Sequence, residues 1–118
     1  MRSYRSVFIS DVHLGTADCQ AEYLLDFLSH VRCETLYLVG DIIDLIAMQR
    51  RVHFPDAHQA VIHKLIELAA SGTRVVYVPG NHDDFLRRFC GQTIAGIELR
   101  YKAVHTTADG RRFMVCHG

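Results

Sequence analysis

Leu36-Tyr37-Leu38-Val39-Gly40-Asp41-Ile42-Ile43-Asp44 is an apolar run that stops at a glycine and an aspartate. A short run rich in β-branched and aromatic residues and ended by Gly predicts a buried strand, with Asp41 at its carboxyl end. The same pattern occurs twice more. Val7-Phe8-Ile9-Ser10 leads into Asp11-Val12-His13, and Val75-Val76-Tyr77-Val78 leads through Pro79-Gly80 into Asn81-His82-Asp83. Helical segments lie between these runs, and strand, helix, strand, helix, strand predicts right-handed βαβ crossovers and a parallel sheet. The expected fold class is therefore α/β. In open α/β sheets ligands bind at the carboxyl edge of the strands, so Asp, His, Asp, Asn and His are expected to meet there.

Outward from the strands, residues 21–31 place Leu24, Leu25, Phe27, Leu28 and Val31 at spacings of three and four, which predicts a helix with one apolar face. His30 and Cys33 at its end read as a cap and a packing residue, since His is favourable near a helix carboxyl terminus. Residues 45–55 show no clean period and read as a helical turn followed by a loop. A second helix is expected from Asp56, a capping residue, to Ala70, with Gly72 as its stop. His58 and His63 are five apart on it, unlike the i, i+4 pair of a zinc helix, and are expected at the surface. Residues 84–89 read as a short helix carrying Arg87 and Arg88. From Gly96 onward an antiparallel half is expected: Ile97-Glu98-Leu99, then Ala103-Val104-His105, then an Asp109-Gly110 turn, then Phe113-Met114-Val115-Cys116. That last run leads into His117-Gly118, a fourth strand end carrying a metal-capable side chain.

Composition bounds the reading. At 118 residues, 49% hydrophobic and 22% charged, this is one domain or part of one, and residues 1–118 are expected to form a single unit. The 13 basic and 13 acidic residues cancel, so no basic field attracts nucleic acid or an anionic membrane. The four cysteines form no Cys-x-x-Cys pair and follow no secretory signal, which predicts reduced thiols in a cytoplasmic protein. Cys116 reads as a buried strand thiol rather than a ligand. No apolar stretch approaches the ~20 residues of a membrane helix, so membrane contact, if made, would be peripheral, at the inner membrane.

The residue types at the four strand ends define a chemistry. Carboxylates, imidazoles and a carboxamide form a mixed oxygen and nitrogen set suited to Mn²⁺, Zn²⁺ or Fe. Asp11 and His13 stand two apart, so on an extended segment both point one way and can hold one ion. Asp41 can bridge two ions, and Asn81 and His117 would serve the second. Two metals about 4 Å apart suit in-line attack on phosphorus. His82 is placed to protonate the leaving oxygen, with Asp44 as the group that fixes its tautomer. Any one Asp or Asn at a strand end is more often a turn residue than a ligand. Four such ends in register, all carrying metal-capable side chains, outweigh that reading. Arg50, Arg51, Arg87 and Arg88 read as solvated surface charges before phosphate contacts.

Taken in order, Asp11-x-His13, Gly40-Asp41-x-x-Asp44, Gly80-Asn81-His82-Asp83 and His117-Gly118 resemble the calcineurin-like metallophosphoesterase superfamily over essentially the whole chain. The resemblance implies two sheets packed as a sandwich and flanked by helices, a dinuclear centre, and hydrolysis of phosphate esters. It assigns Asp11 and His13 to the first metal, Asp41 to both, Asn81 and His117 to the second, and His82 with Asp44 to the leaving group. Ser10-Asp11-Val12-His13-Leu14-Gly15 and the spacing to Gly80-Asn81-His82-Asp83 most resemble the UDP-2,3-diacylglucosamine pyrophosphatase-like branch, which acts in lipid A synthesis. That branch tends to carry Arg where this chain has His82. Family members continue past His-Gly and supply a Gly-His-x-His segment that completes both metals. The chain is thus expected to be an amino-terminal portion with an incomplete second sheet, and to dimerise or otherwise self-associate. The alternatives are a phosphodiesterase acting on cyclic nucleotides or nucleic acid and a non-catalytic metal-binding module.

Overall fold

The computed structural model describes residues 2–10, 12–14, 21–42, 56–80, 83–107 and 110–115. Strands β1 (Arg2–Ile9), β2 (Val31–Val39) and β3 (Arg74–Val78) alternate with helices α1 (Ala21–Ser29) and α2 (Asp56–Ala70). A 3₁₀ helix (Asp84–Phe89) and strands β4 (Thr93–Ile94), β5 (Ile97–Leu99), β6 (Ala103–Thr106) and β7 (Arg112–Val115) follow. One sheet runs β1-β2-β3-β5-β4, and β6 pairs with β7 in a second. The expected α/β fold is present, with β1, β2 and β3 parallel neighbours.

Alternation along these strands sorts the two faces. Leu36 and Leu38 of β2, Val75 and Tyr77 of β3 and Leu99 of β5 share a buried core with Leu28 of α1 and Val61 and Leu65 of α2. Both crossover helices therefore cover one face, and they also pack on each other. Tyr37, Val76 and Val78 form a smaller cluster on the opposite face. There the second sheet docks through His105. Its ring stands edge-on to Phe8 and Tyr37, with Nδ1 3.1 Å from the Tyr37 hydroxyl and Nε2 3.4 Å from Ser6 Oγ. Burial pushes the Tyr37 phenol up from its ordinary pKa.

The structure corrects several expectations. α1 stops at Ser29, and Val31 opens β2. His30 does cap this end, its Nδ1 lying 2.8 Å from the Asp26 carbonyl. His58 is buried, not at the surface. It stands three and seven residues before Val61 and Leu65, the spacing of one helix face, and so turns inward with them. His63 is exposed, as expected.

The half after Gly96 is not wholly antiparallel. β5 pairs parallel with β3, through Val75↔Ile97, Val76↔Glu98 and Tyr77↔Leu99, and antiparallel only with the two residues of β4. The reversal between them is a two-residue turn at Ala95 and Gly96, with φ 53° and 83°. Two consecutive positive φ values define the type I′ turn that matches strand twist, and this tight turn sends β5 back alongside β3. Gly96 is also held by packing, because a Cβ there would meet Ala69 Cβ of α2 at 3.0 Å. The β6–β7 hairpin is antiparallel as expected, in the register Ala103↔Val115 to Thr106↔Arg112. The expected turn and loop at residues 45–55 lies outside the described residues, as do Asp109, Cys19 and Cys116. No helix among the described residues is long and apolar enough to cross a membrane.

Candidate metal centre

The register puts the carboxyl ends of the first three strands side by side. Ile9 pairs with Leu38, and Val39 with Val78, so the segments after Ile9, Val39 and Val78 leave one edge of the sheet together. Further backbone bonds continue this alignment past the strands. Gly40 N donates to Val78 O at 2.6 Å, His13 N to Asp41 O at 2.8 Å and Leu14 N to Ile42 O at 2.7 Å. Leu14 and Ile42 are fully buried and anchor the two loops in the core.

The loop backbone is unusual where the candidate ligands lie. Gly40 has φ 72°, Asp41 φ 55° and His13 φ 56°. An L residue in the left-handed region loses about 1–2 kcal/mol relative to the right-handed one, and such conformations cluster at functional sites. Among the described residues, two of the three non-glycine residues with positive φ are candidate ligands, the third being Ala95 in its turn. Gly40 turns the chain sharply at the end of β2, and Asp41 is left buried, 6% exposed, beside the β1 end.

Asp83 connects this loop to the one after β3. Its side chain is fully buried. Oδ1 accepts from Asp41 N at 3.1 Å and from Gly80 N, and Oδ2 accepts from Ile42 N at 2.9 Å and from the Tyr77 hydroxyl. An Asp just before a helix ordinarily caps it, but Asp83 makes no side-chain cap bond to the 3₁₀ helix that follows. It turns back to the strand ends. The sequence motif contains Asp83, yet its role was not legible there. The local signal points to capping, and only the tertiary fold brings the Asp41 and Ile42 amides to it.

Of the sequence-derived site residues, the structure places His13 and Asp41 together through the bond between their backbones. Asp11, Asp44, Asn81, His82 and His117 lie outside the described residues. Among the described residues no group of three or more His, Cys, Asp or Glu could hold a metal. An imidazole and a buried carboxylate on adjacent strand ends nevertheless fit the hard and borderline divalent ions that the donor set favours. Arg87 is engaged locally, with Nε 3.0 Å from Asp84 Oδ1 and its guanidinium 5.2 Å from the centre of the Tyr101 ring. Cys33 and Cys90 are free thiols, and burial pushes both above their ordinary pKa. Both therefore remain protonated.

Comparison with known proteins bears on this arrangement. The model of the family described as calcineurin-like phosphoesterase matches residues 4–118. The chain is similar to a UDP-2,3-diacylglucosamine hydrolase from Ralstonia nicotianae, with 31% identity over 115 residues, 94% of this chain and 42% of that protein. The chain thus spans less than half the length of this curated relative.

Proposed function

The chain belongs to the calcineurin-like phosphoesterase family, and from that premise we propose that it is the part of a metal-dependent phosphoesterase that builds most of a dinuclear centre. Divalent metal ions follow from the family; Mn²⁺ suits this oxygen and nitrogen donor set, with Zn²⁺ or Fe as substitutes. The observation that carries the reading is the meeting of His13 and Asp41 through their backbones, both left-handed, at the carboxyl edge of the sheet.

In this reading Asp11 and His13 would hold one metal, Asp41 would serve both, and Asn81 and His117 would hold the other. When bound, such a pair supplies hydroxide near neutral pH and polarises the phosphoryl oxygens. The chain's own residues do the rest. Asp41 sits at the end of a buried strand and loses little conformational freedom on binding. His82 would give a proton to the leaving oxygen, with Asp44 as the group assigned to fix its tautomer.

For the substrate, the name of the relative supports UDP-2,3-diacylglucosamine; cleavage at its pyrophosphate, and with it a role in lipid A synthesis at the cytoplasmic face of the inner membrane, is the finer reading that the motif resemblance implies. The test is release of UMP from that lipid by the Mn²⁺-loaded chain, with Asp41→Asn as control. Turnover that the substitution abolishes supports the reading. Hydrolysis of simple diesters with no turnover of the lipid would move the assignment to another phosphodiester. Metal uptake with no hydrolysis of either would favour a binding module.

Self-association belongs to the same reading. Among the described residues β1 is an edge of the larger sheet, and Phe8 on it is 53% exposed, a combination that favours pairing between chains. Light scattering at high concentration should report a dimer or larger species, and a clean monomer would refute it.

A further inference from the structure

We propose that Tyr77 and Asp83 are positioning residues that set the Gly40-Asp41-Ile42 loop in its metal-receiving form before any metal arrives. The proposal rests on the dinuclear reading above but adds residues to which that reading gives no part. A carboxylate is acceptor-only, and here one is fully buried with four donors on its two oxygens. Two of those donors are the consecutive amides of Asp41 and Ile42, so the carboxylate grips the backbone on both sides of the Asp41 Cα. A left-handed Asp41 needs such a grip, because the surroundings must over-determine a conformation that the residue itself disfavours.

The other two donors come from β3. Tyr77 lies in the helix-side core, and its hydroxyl fixes Oδ2. Gly80 N fixes Oδ1, so Asp83 also ties together the two ends of the segment whose middle residues, Asn81 and His82, are candidates for the site. One side chain therefore couples the loop carrying the bridging ligand to the loop carrying the second metal's ligand. This is the support that holds a site to its productive geometry. Replacing Asp83 by Asn puts an amide donor where backbone donors already point, whereas Tyr77→Phe removes one donor and leaves the three amide bonds.

The experiment compares wild type, Asp83→Asn and Tyr77→Phe in two measurements. The first is amide hydrogen exchange at Asp41, Ile42 and Gly80 in EDTA, and the second is Mn²⁺ affinity by electron paramagnetic resonance. In Asp83→Asn those amides should lose protection while β2 and β3 keep theirs, and Mn²⁺ should bind at least tenfold more weakly. Tyr77→Phe should move both readouts the same way by a smaller factor. If Asp83→Asn does not fold, Tyr77→Phe decides alone. Unchanged Mn²⁺ affinity in a folded variant, with the wild type binding normally, overturns the positioning role. Wild-type protein that takes up no Mn²⁺ refutes the dinuclear reading itself and the positioning role with it.

Discussion

Replacing Asp41 by glycine and, separately, by alanine isolates the backbone from the chemistry at the bridging position. Asp41 has φ 55° and follows Gly40 at φ 72°. A residue with a Cβ loses about 1–2 kcal/mol in this region, while glycine loses nothing there. Glycine in turn costs about 0.5–1 kcal/mol through the greater freedom of the unfolded chain. Both substitutions remove the carboxylate and every contact it makes, so that loss cancels between them. What remains places Asp41→Gly about 0.5–1 kcal/mol above Asp41→Ala, or roughly 2–4 °C in Tm for a domain of this size. Urea midpoints in EDTA, read at constant slope, measure the difference. Mn²⁺ binding should be lost in both variants, so the more stable one is no more functional. Alanine as stable as glycine, or more so, would refute the left-handed loop on which the site argument rests.

Three further outcomes follow from the fold. Ala95→Asn puts the residue that type I′ turns prefer before Gly96, and should raise stability by about 0.5–1 kcal/mol; a thermal melt no higher than wild type would count against the turn assignment. Glu98 accepts from Arg74 Nε at 2.8 Å and from Arg100 at 3.1 Å, and its carboxyl is held below the ordinary value of 4.5, chiefly by the Arg74 hydrogen bond against an opposing effect of burial. A depressed carboxyl adds stability that is present above that ordinary value and lost as pH falls through the lower folded one. Glu98→Gln should therefore flatten the acid side of the stability curve below pH 4.5, and an unchanged slope would exclude the pairing. His105→Phe keeps a ring but removes the bonds to Tyr37 and Ser6, at a cost of about 1 kcal/mol. Amide exchange should quicken in β6 and β7 and not in β2 or β3, and uniform exchange would contradict docking through His105.

The division of labour between sequence and tertiary structure shows in particular residues. Continuous apolar runs ended by Gly-Asp or Pro-Gly were enough to mark β2 and β3 and to align their carboxyl ends, because burial on both faces demands continuous apolar strands. The helix from Asp56 to Ala70 was legible to its boundaries, since its acidic first turn, apolar spacing and glycine stop agree. Helix α1 was legible except at its end. Val31 continues the helical spacing, yet its pairing with Arg2 makes it strand. His58 could not be assigned from type alone, because a histidine is compatible with surface or core, and the face shared with Val61 and Leu65 decides it.

The site divides in the same way. Which residue types stand at the strand ends is a property of the sequence, and with it the oxygen and nitrogen chemistry and the family. That His13 and Asp41 meet through their backbones, and that both adopt φ near 55°, depends on bonds between segments 28 residues apart in the numbering, 41 less 13. The parallel direction of β5 likewise depends on a two-residue reversal followed by pairing with β3, against which the local pattern is neutral. Asp83 is the clearest case. It stands just before a short helix that it does not cap, and four donors from three separate places in the fold make it the buried link between two loops. Local sequence determines what each segment prefers and which groups it presents. Only the assembled chain determines which donors surround a buried acceptor, because they come from residues that meet only in the fold.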